Sequence, residues 1–236
     1  MITHGRIERL QRGLSKWLVR LVPLTVLGGH KCSLALERIG IDDGSWTVPQ
    51  NVLPPGAVCY CFGVGCDASF DIALAERSSV QIHSFDPTPS SIEYMNCHPE
   101  WPISFHPWGI WVKDSVGALY FQDRTDETNL SLLNPGSHRG GKQADVELCS
   151  LSTILQRLGH ESVELIKMDI EGAWYEVVED MIRTHIIPEI LCVEFDSPTS
   201  LFKVISTIRR LRGVGLYCIH RDRDDYLFVS LNYLRS

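Results

Sequence analysis

Residues 58–70 read VCYCFGVGCDASF, a short apolar run followed by a turn that contains two glycines. The first five residues predict a buried strand, and the apolar spacing over residues 67–77 predicts a helix. Between them, Gly63 and Gly65 let the backbone approach a ligand closely, and the start of the helix offers free N–H groups. By itself the pattern is compatible with a ligand-binding turn or with a tight strand-to-helix connection.

An acidic residue stands directly after the next predicted strand, residues 80–85. Asp86 follows the glycines by about 20 residues, where a carboxylate accepts hydrogen bonds from the ribose hydroxyls of a nucleoside cofactor. An Asx-turn before Pro87 is the alternative role for this side chain. Together, the glycine turn and Asp86 predict that a nucleoside-containing cofactor binds here.

Strands and helices alternate along most of the chain. The strands are predicted at residues 58–62, 80–85, 103–106, 163–168, 190–195, 216–220 and 226–231, and the helices at residues 67–77, 88–97, 151–158, 173–184 and 200–212. This alternation predicts an α/β fold with a mostly parallel seven-stranded sheet, helices on both faces and an antiparallel hairpin strand at the carboxyl terminus. Such sheets bind ligands beyond the carboxyl ends of their strands.

Two segments depart from the alternation. Residues 1–50 are predicted to form a helical lead-in to the domain of residues 51–236. Residues 117–148 have the composition of an insertion, in which residues 119–121 pair with residues 146–148 across a long polar loop. A polar loop of that length inside a compact domain is usually functional or disordered.

Composition excludes some classes of partner and compartment. The formal net charge of −7 argues against a nucleic-acid partner, because proteins that bind phosphates broadly carry a basic excess. The eight cysteines form no C-x-x-C pair, which predicts reduced thiols and a cytoplasmic protein. The apolar run of residues 17–29 is too short to span a membrane, yet the Arg-rich residues 6–29 are compatible with a packed helix, weak membrane-surface contact or a targeting signal.

Two cofactors are compatible with the glycine turn. The spacing Gly63-x-Gly65-x-x-Ala68 also matches the dinucleotide fingerprint, so an NAD-linked oxidoreductase is an alternative. Asp67 favours S-adenosylmethionine, because a carboxylate at the helix start repels a pyrophosphate and attracts an ammonium or a sulfonium. A helix N-cap role for Asp67 is compatible with either cofactor.

Acidic residues also follow two later strands. Asp169 and Glu171 come after residues 163–168, and Glu194 closes the strand predicted at residues 190–195. The three are candidates for catalysis, as a general base or as groups that position an acceptor. A divalent metal is compatible with these carboxylates but is not predicted. Alternatively, Asp169 and Glu171 cap the next helix and complement its dipole.

Four blocks of the chain resemble the FkbM-type methyltransferases, in the branch related to methyltransferase-like proteins. They are residues 60–70, residues 85–89, Trp108-Gly109 and the segment IKMDIEG of residues 166–172, within a similarity that runs from residue 38 to residue 230. The resemblance implies a Rossmann-like class I methyltransferase fold, S-adenosylmethionine as methyl donor and a hydroxyl oxygen of a small molecule or glycan as acceptor. On these blocks, the cofactor-binding residues are Phe62, Gly63, Val64, Gly65, Asp67, Ser69, Phe70, Asp86, Pro87, Trp108 and Gly109.

The sequence departs from the family pattern at two positions. Cys61 stands where many methyltransferases have an acid in the first strand, and Asp67 stands where many FkbM-type members have a glycine. The first departure removes a usual contact to the amino-acid end of the donor, and the second supplies a negative charge six residues later. A catalytically silent binding module with this fold is therefore a second alternative.

Overall fold

The computed structural model describes residues 20–77, 79–121, 142–196 and 199–235. The strands are β1 (Leu36–Ile39), β2 (Trp46–Pro49), β3 (Val58–Phe62), β4 (Gln81–Phe85), β5 (Ser104–His106), β6 (Trp108–Ile110), β7 (Ser115–Phe121), β8 (Lys142–Cys149), β9 (Leu165–Met168), β10 (Ile190–Glu194), β11 (Leu216–Asp222) and β12 (Asp225–Ser230). The helices are α1 (Leu24–Leu27), α2 (Ser69–Arg77), α3 (Pro89–Asn96), α4 (Leu151–Leu158), α5 (Trp174–Thr184), α6 (Leu201–Gly213) and α7 (Leu231–Arg235).

The central sheet has seven strands in the order β11-β12-β10-β9-β3-β4-β5. Strands β10, β9, β3, β4 and β5 run parallel, and β12 is antiparallel to both of its neighbours. The predicted Rossmann-like class I methyltransferase fold is confirmed, with its mostly parallel sheet and carboxy-terminal hairpin. The chain order reverses at β3, so the carboxyl ends of β3, β4 and β9 meet at the point where such sheets bind ligands.

Alternation along the strands divides the interior into two layers. In β3, Tyr60 and Phe62 pack with α4, α5 and α6, whereas Cys59 and Cys61 pack on the opposite face with α2. This division follows from the two-residue period of a strand, which sends successive side chains to opposite faces. Both faces are covered by apolar side chains, as a parallel sheet requires.

The helical lead-in predicted for residues 1–50 is wrong over residues 36–49. Strands β1 and β2 form an antiparallel hairpin there, and the helical residues in the described part of the lead-in are residues 20–21, α1 and a 3₁₀ turn at Asp42–Gly44. The hairpin forms because Ile39, Trp46 and Val48 bury their side chains against the face of the sheet that carries α2. Tertiary burial of this kind overrides local helical preference.

The insertion predicted between residues 117 and 148 contains a separate three-stranded sheet, β6-β8-β7. Strands β7 and β8 pair as predicted, but Leu119 lies opposite Ala144, and Val146 lies opposite Gly117. The polar loop between the two strands lies outside the described residues. Strand β6, which the sequence did not reveal, joins this small sheet to the central one beside the end of β4.

Most of residues 6–29 also falls outside the described part of the chain, which begins at residue 20. Within that part, Leu21 and Val26 are exposed while Leu27 is buried against α6. No helix among the described residues is long and apolar enough to cross a membrane. All eight cysteines lie in described segments as free thiols, and five of them are buried.

Candidate active site

A cavity of about 190 Å³ opens at the carboxyl ends of β3, β4 and β9. Ten of the residues singled out from the sequence line it, and they come from four separate segments of the chain. They are Phe62, Gly63, Val64, Gly65, Asp86, Pro87, Trp108, Gly109, Asp169 and Glu171. Five residues that the sequence did not single out complete the wall, namely Phe85, Thr88, Ile110, Ile170 and Ala173.

Gly63 is the point where two sides of the cavity touch. Its backbone has φ +81°, and a Cβ atom added to it would lie 1.8 Å from the carbonyl oxygen of Asp169. Its N–H donates to the carbonyl of Phe85 over 2.9 Å. Only glycine combines this left-handed conformation with so close an approach. Gly63 therefore allows the turn after β3 to contact the end of β9 directly.

Asp86 is held rigidly by the backbone around it. Its Oδ2 accepts the N–H of Gly65 over 2.8 Å, and its Oδ1 accepts the N–H of Thr88 over 2.9 Å. The residue is only 4% exposed, yet it lines the cavity. A carboxylate oxygen accepts more than one hydrogen bond, so each oxygen keeps acceptor capacity toward the cavity.

Trp108 forms an aromatic wall next to Asp86. Its ring lies 4.9 Å from that of His106 at an interplanar angle of 28°, and the guanidinium of Arg157 lies 5.1 Å from the ring centroid. These contacts fix the orientation of the indole. The stacking role predicted for Trp108 toward a cofactor ring stays a prediction.

Three residues assigned to the cofactor lie away from the cavity. Asp67 accepts the N–H of Ser69 over 2.8 Å, and its carboxylate lies so close to Gly44 that an added Cβ would come within 2.2 Å of it. The Ser69 hydroxyl accepts the N–H of Ile41 over 2.9 Å, and Phe70 is buried against the β1–β2 hairpin. The structure thus places Asp67, Ser69 and Phe70 beside the β1–β2 hairpin and not among the residues that line the cavity, and their contact with a cofactor stays a prediction.

The predicted catalytic residues form two layers. Asp169 and Glu171 line the cavity, while Glu194 lies behind Asp169 and is joined to it by a hydrogen bond. Burial and then the charge of Asp169 raise the pKa of Glu194 to about 9. Burial and the same neighbour raise the pKa of Asp225 to about 7. The structure therefore brings the three candidates together but places only two of them on the cavity.

Lys167 is a site residue that sequence reasoning missed. Its side chain is 6% exposed, and its Nζ donates to the carbonyl of Gly63 over 2.7 Å. Burial favours a lower pKa, but Asp169, Asp71 and Asp86 outweigh it and raise the pKa of Lys167 above its ordinary value. The signal was present in the sequence as the one charged residue in the four residues LIKM that form β9.

A second missed residue bears on the departure at Cys61. Asp71 of α2 is 3% exposed and accepts a hydrogen bond from the Ser84 hydroxyl, next to the Cys61 thiol. Burial raises the pKa of Asp71, and the ammonium of Lys167 opposes that rise. Asp71 thus supplies, from α2, a buried carboxyl group next to Cys61, which stands at the strand position where many methyltransferases have an acid.

The described residues contain no group of three or more His, Cys, Asp or Glu side chains arranged to hold a metal ion. The carboxyl groups at the ends of β9 and β10 hydrogen-bond to each other instead.

Similarity searches find related sequences and folds. Residues 66–213 match the model of the methyltransferase FkbM domain. The proteins named probable methyltransferase-like protein 24 of Homo sapiens and of Rattus norvegicus are each 24% identical over 132 residues, which is 56% of this chain. The match spans 30% of the length of each of these relatives.

Two solved structures also align with the fold. A precorrin-6y C5,15-methyltransferase from Geobacter metallireducens GS-15 aligns with a TM-score of 0.38 at 11% identity, over 75% of this chain and 82% of the other. The fibrillarin pre-rRNA processing protein of Methanococcus jannaschii aligns with a TM-score of 0.43 at 11% identity, over 84% and 82%.

The family model covers more than half of the chain and includes the helix after the glycine turn, Asp86 and the block that carries Lys167 and Asp169. This chain belongs to the FkbM methyltransferase domain family.

Proposed function

We propose that the chain is an S-adenosylmethionine-dependent methyltransferase that methylates a hydroxyl oxygen on a small molecule or glycan. The observation that carries the proposal is Asp86, a buried carboxylate that two backbone N–H groups hold at the wall of the cavity. A fixed carboxylate with acceptor capacity to spare suits a pair of ribose hydroxyls, and each charge-assisted hydrogen bond contributes about 1.5–3 kcal/mol.

The cavity fits a nucleoside cofactor without phosphates better than a dinucleotide. None of the described residues that line it is Lys, Arg or His. In addition, the N–H of Gly65 in the glycine turn already donates to Asp86, so this backbone donor is not free to bind a phosphate. This pairing and the lack of a cation among the described lining residues favour S-adenosylmethionine over NAD.

The residues of the cavity divide the binding work. Asp86 would hold the ribose, Trp108 and Pro87 would contact the adenine, and the turn at Gly63 would hold the methionine end. When bound, S-adenosylmethionine supplies a methyl group on a sulfonium, which is already a good electrophile. Most of the rate acceleration would therefore come from alignment of the acceptor, while Asp169 or Glu171 positions the acceptor hydroxyl or takes its proton.

Calorimetry with two ligands tests the cofactor. We expect S-adenosylhomocysteine to bind the purified chain and NAD not to bind, each titrated under the same conditions and checked by thermal shift. Binding of NAD without S-adenosylhomocysteine would make the oxidoreductase the correct alternative, and binding of neither would favour a silent module. If the first ligand binds, transfer of a labelled methyl group to a panel of hydroxyl acceptors tests turnover.

A further inference from the structure

A buried ammonium lies directly behind the wall of the cavity. Lys167 is two residues before Asp169 in sequence and donates to the carbonyl oxygens of Gly63, over 2.7 Å, and Phe62, over 3.5 Å. Moving a charge into a protein interior is costly unless other groups compensate it. A lysine at this position therefore needs a physical reason.

Two features compensate the charge of Lys167. The first is the set of carboxyl groups around it, of which Asp169 interacts most strongly, followed by Asp71. The second is the indole of Trp46 on β2, whose ring centroid lies 5.5 Å from Nζ. The β1–β2 hairpin, in a segment predicted to be helical, therefore packs on one side of the ammonium, and the carboxyl groups lie on its other side.

The nearest of these carboxyl groups belongs to a hydrogen-bonded pair. Asp169 faces the cavity, and Glu194 contacts it from β10, behind the cavity wall. Two carboxylates in hydrogen-bond contact cannot both be ionised at low cost. Here burial adds to that cost and raises the pKa of Glu194 to about 9, so the pair retains one proton at neutral pH. The pair then has two forms, with the proton on either residue.

We propose that Lys167 is a positioning residue that keeps the negative charge of this pair on Asp169, at the cavity, and the proton on Glu194, behind it. Three observations support this assignment. The ammonium is bound to the carbonyl of Gly63, the residue that touches the backbone of Asp169, and Asp169 is the carboxyl group with which it interacts most strongly. The register that pairs Met168 with Val193 sets Glu194 next to Asp169, but only Asp169 lines the cavity. The pKa of Glu194 is raised to about 9, mainly by burial.

Other charged groups surround the pair on every side. They are Asp71 from α2, Asp86 after β4, Glu171 from the loop after β9, Asp225 from β12, Arg38 from β1 and Arg20 before α1. Four of these six are acidic, so together they favour protonation of the pair. Arg38 acts on Asp225, and Arg20 interacts with Glu194 but is held in an ion pair with Asp224 over 2.7 Å. Lys167 is the cation that contacts the end of β3 next to Asp169.

This inference rests on the proposed function, and it selects one base among the three candidates. As the bond from the acceptor oxygen to the methyl carbon forms, the sulfur–methyl bond breaks and its electron pair stays on sulfur. The acceptor O–H bond breaks as well, and its proton goes to the carboxylate of Asp169. Lys167 touches neither substrate nor donor, and acts through the charge that it maintains on Asp169.

Carboxyl-carbon NMR tests the location of the proton without donor or acceptor. Wild-type protein labelled with ¹³C at either the glutamate or the aspartate carboxyl carbons is titrated with base. The signals of Glu194 and Asp169 are assigned with Glu194→Gln and Asp169→Asn, which also separates Asp169 from Asp225, whose pKa is raised to about 7. We expect the high-pH step of the pair on the Glu194 carbon. A high-pH step on the Asp169 carbon would overturn the proposal, because the proton would then lie at the cavity.

Neutral variants of Lys167 test its part in that assignment. Lys167→Gln keeps a donor for the Gly63 carbonyl, Lys167→Met keeps only the bulk, and Lys113→Gln removes an exposed charge as a control. We expect the low-pH step of the pair to move up by about one pH unit or more in both Lys167 variants, since an opposite charge nearby shifts a carboxyl by about 1–3 units. If a folded Lys167 variant titrates with the same two steps as the wild-type protein, the proposal is wrong. If neither variant folds, the location of the proton in the wild-type titration decides the question.

Failure of this proposal and failure of the proposed function give different results. The NMR titration requires no bound nucleoside, whereas the calorimetry requires no particular protonation state of the pair. If S-adenosylhomocysteine binds but the proton is found on Asp169, only the role of Lys167 is contradicted. If the proton is found on Glu194 but S-adenosylhomocysteine does not bind, only the proposed methyltransferase activity is contradicted.

Discussion

Two regions of the same sheet edge present carboxyl groups to the cavity in different ways. At the end of β4, Asp86 accepts N–H groups from two neighbouring turns and interacts mainly with backbone. At the ends of β9 and β10, Asp169 and Glu194 hydrogen-bond to each other, with Lys167 behind them. The first region supplies a fixed acceptor, and the second supplies a carboxyl pair with a proton to place.

The difference indicates a division of labour along the edge. Backbone donors fix the directions of the remaining lone pairs on Asp86, which favours recognition of hydroxyl groups. A carboxyl pair with one proton and a nearby cation keeps its other carboxylate ionised, so that this carboxylate is available to position an acceptor hydroxyl and to take its proton as the methyl group is transferred. Under the proposed function, the donor binds mainly at β3 and β4, and the acceptor is activated mainly at β9.

The largest expected effect comes from Gly63, where the two regions touch. A Cβ in Gly63→Ala would lie 1.8 Å from the Asp169 carbonyl, on a residue with φ +81°. We expect the free energy of unfolding to fall by about 3 kcal/mol or more, from left-handed strain plus displacement of the β9 end. Urea unfolding measures this loss.

Gly56→Ala is the matched control for that experiment. Gly56 has φ +80°, and an added Cβ meets nothing within 4 Å. This variant introduces the same backbone strain without the steric clash, so we expect a loss of about 1–2 kcal/mol. Equal losses in the two variants would mean that the turn and the end of β9 are not in fixed contact.

The next effect separates Asp86 from Asp67. In Asp86→Ala the ribose contacts are lost, and we expect the affinity for S-adenosylhomocysteine to fall by about 100-fold, which corresponds to roughly 3 kcal/mol. Asp67→Ala removes a carboxylate that faces Gly44 rather than the cavity, so its affinity should stay near that of wild type. Calorimetry on both variants decides, and a larger loss in Asp67→Ala would restore the role predicted from the sequence.

Local patterns predicted much of the fold and of the Asp86 region. Outside the insertion, the strands and helices predicted between residues 58 and 231 match the structure to within two residues at each end, whereas the strands predicted in the insertion begin four residues too late. This agreement follows from apolar periodicity, which is a local property of the sequence. The glycine turn and Asp86 could be predicted because strand ends bring their following residues to one edge.

Sequence patterns predicted least where distant segments meet. Asp67 was expected at the cavity because a helix start normally faces the ligand, but the structure places its carboxylate beside Gly44, between β1 and β2. The hairpin itself was misjudged, since its burial depends on the sheet rather than on its own pattern. The contact of Lys167 with Gly63 joins residues 104 positions apart, and no local pattern reports such a pairing.

The smallest effect concerns the backbone of the second region. Glu171 lines the cavity with φ +40°, and the next residue, Gly172, has φ +79°. A left-handed conformation costs a non-glycine residue about 1–2 kcal/mol, a cost that glycine largely avoids. Such strain persists at sites where the side chain is needed. Glu171→Gly and Glu171→Ala both remove the carboxylate, but only the first also relieves the backbone.

We therefore expect Glu171→Gly to be more stable to urea than Glu171→Ala by about 0.5–1 kcal/mol, since the greater freedom of unfolded glycine offsets part of the relief. If the carboxylate of Glu171 helps to position the acceptor, both variants lower methyl transfer equally, and their affinities for S-adenosylhomocysteine remain similar. Equal stability of the two variants would show that the loop relaxes without glycine. A large loss of S-adenosylhomocysteine affinity in both variants would show that Glu171 contacts the donor. The donor would then not bind mainly at β3 and β4, and the two regions would not have separate functions.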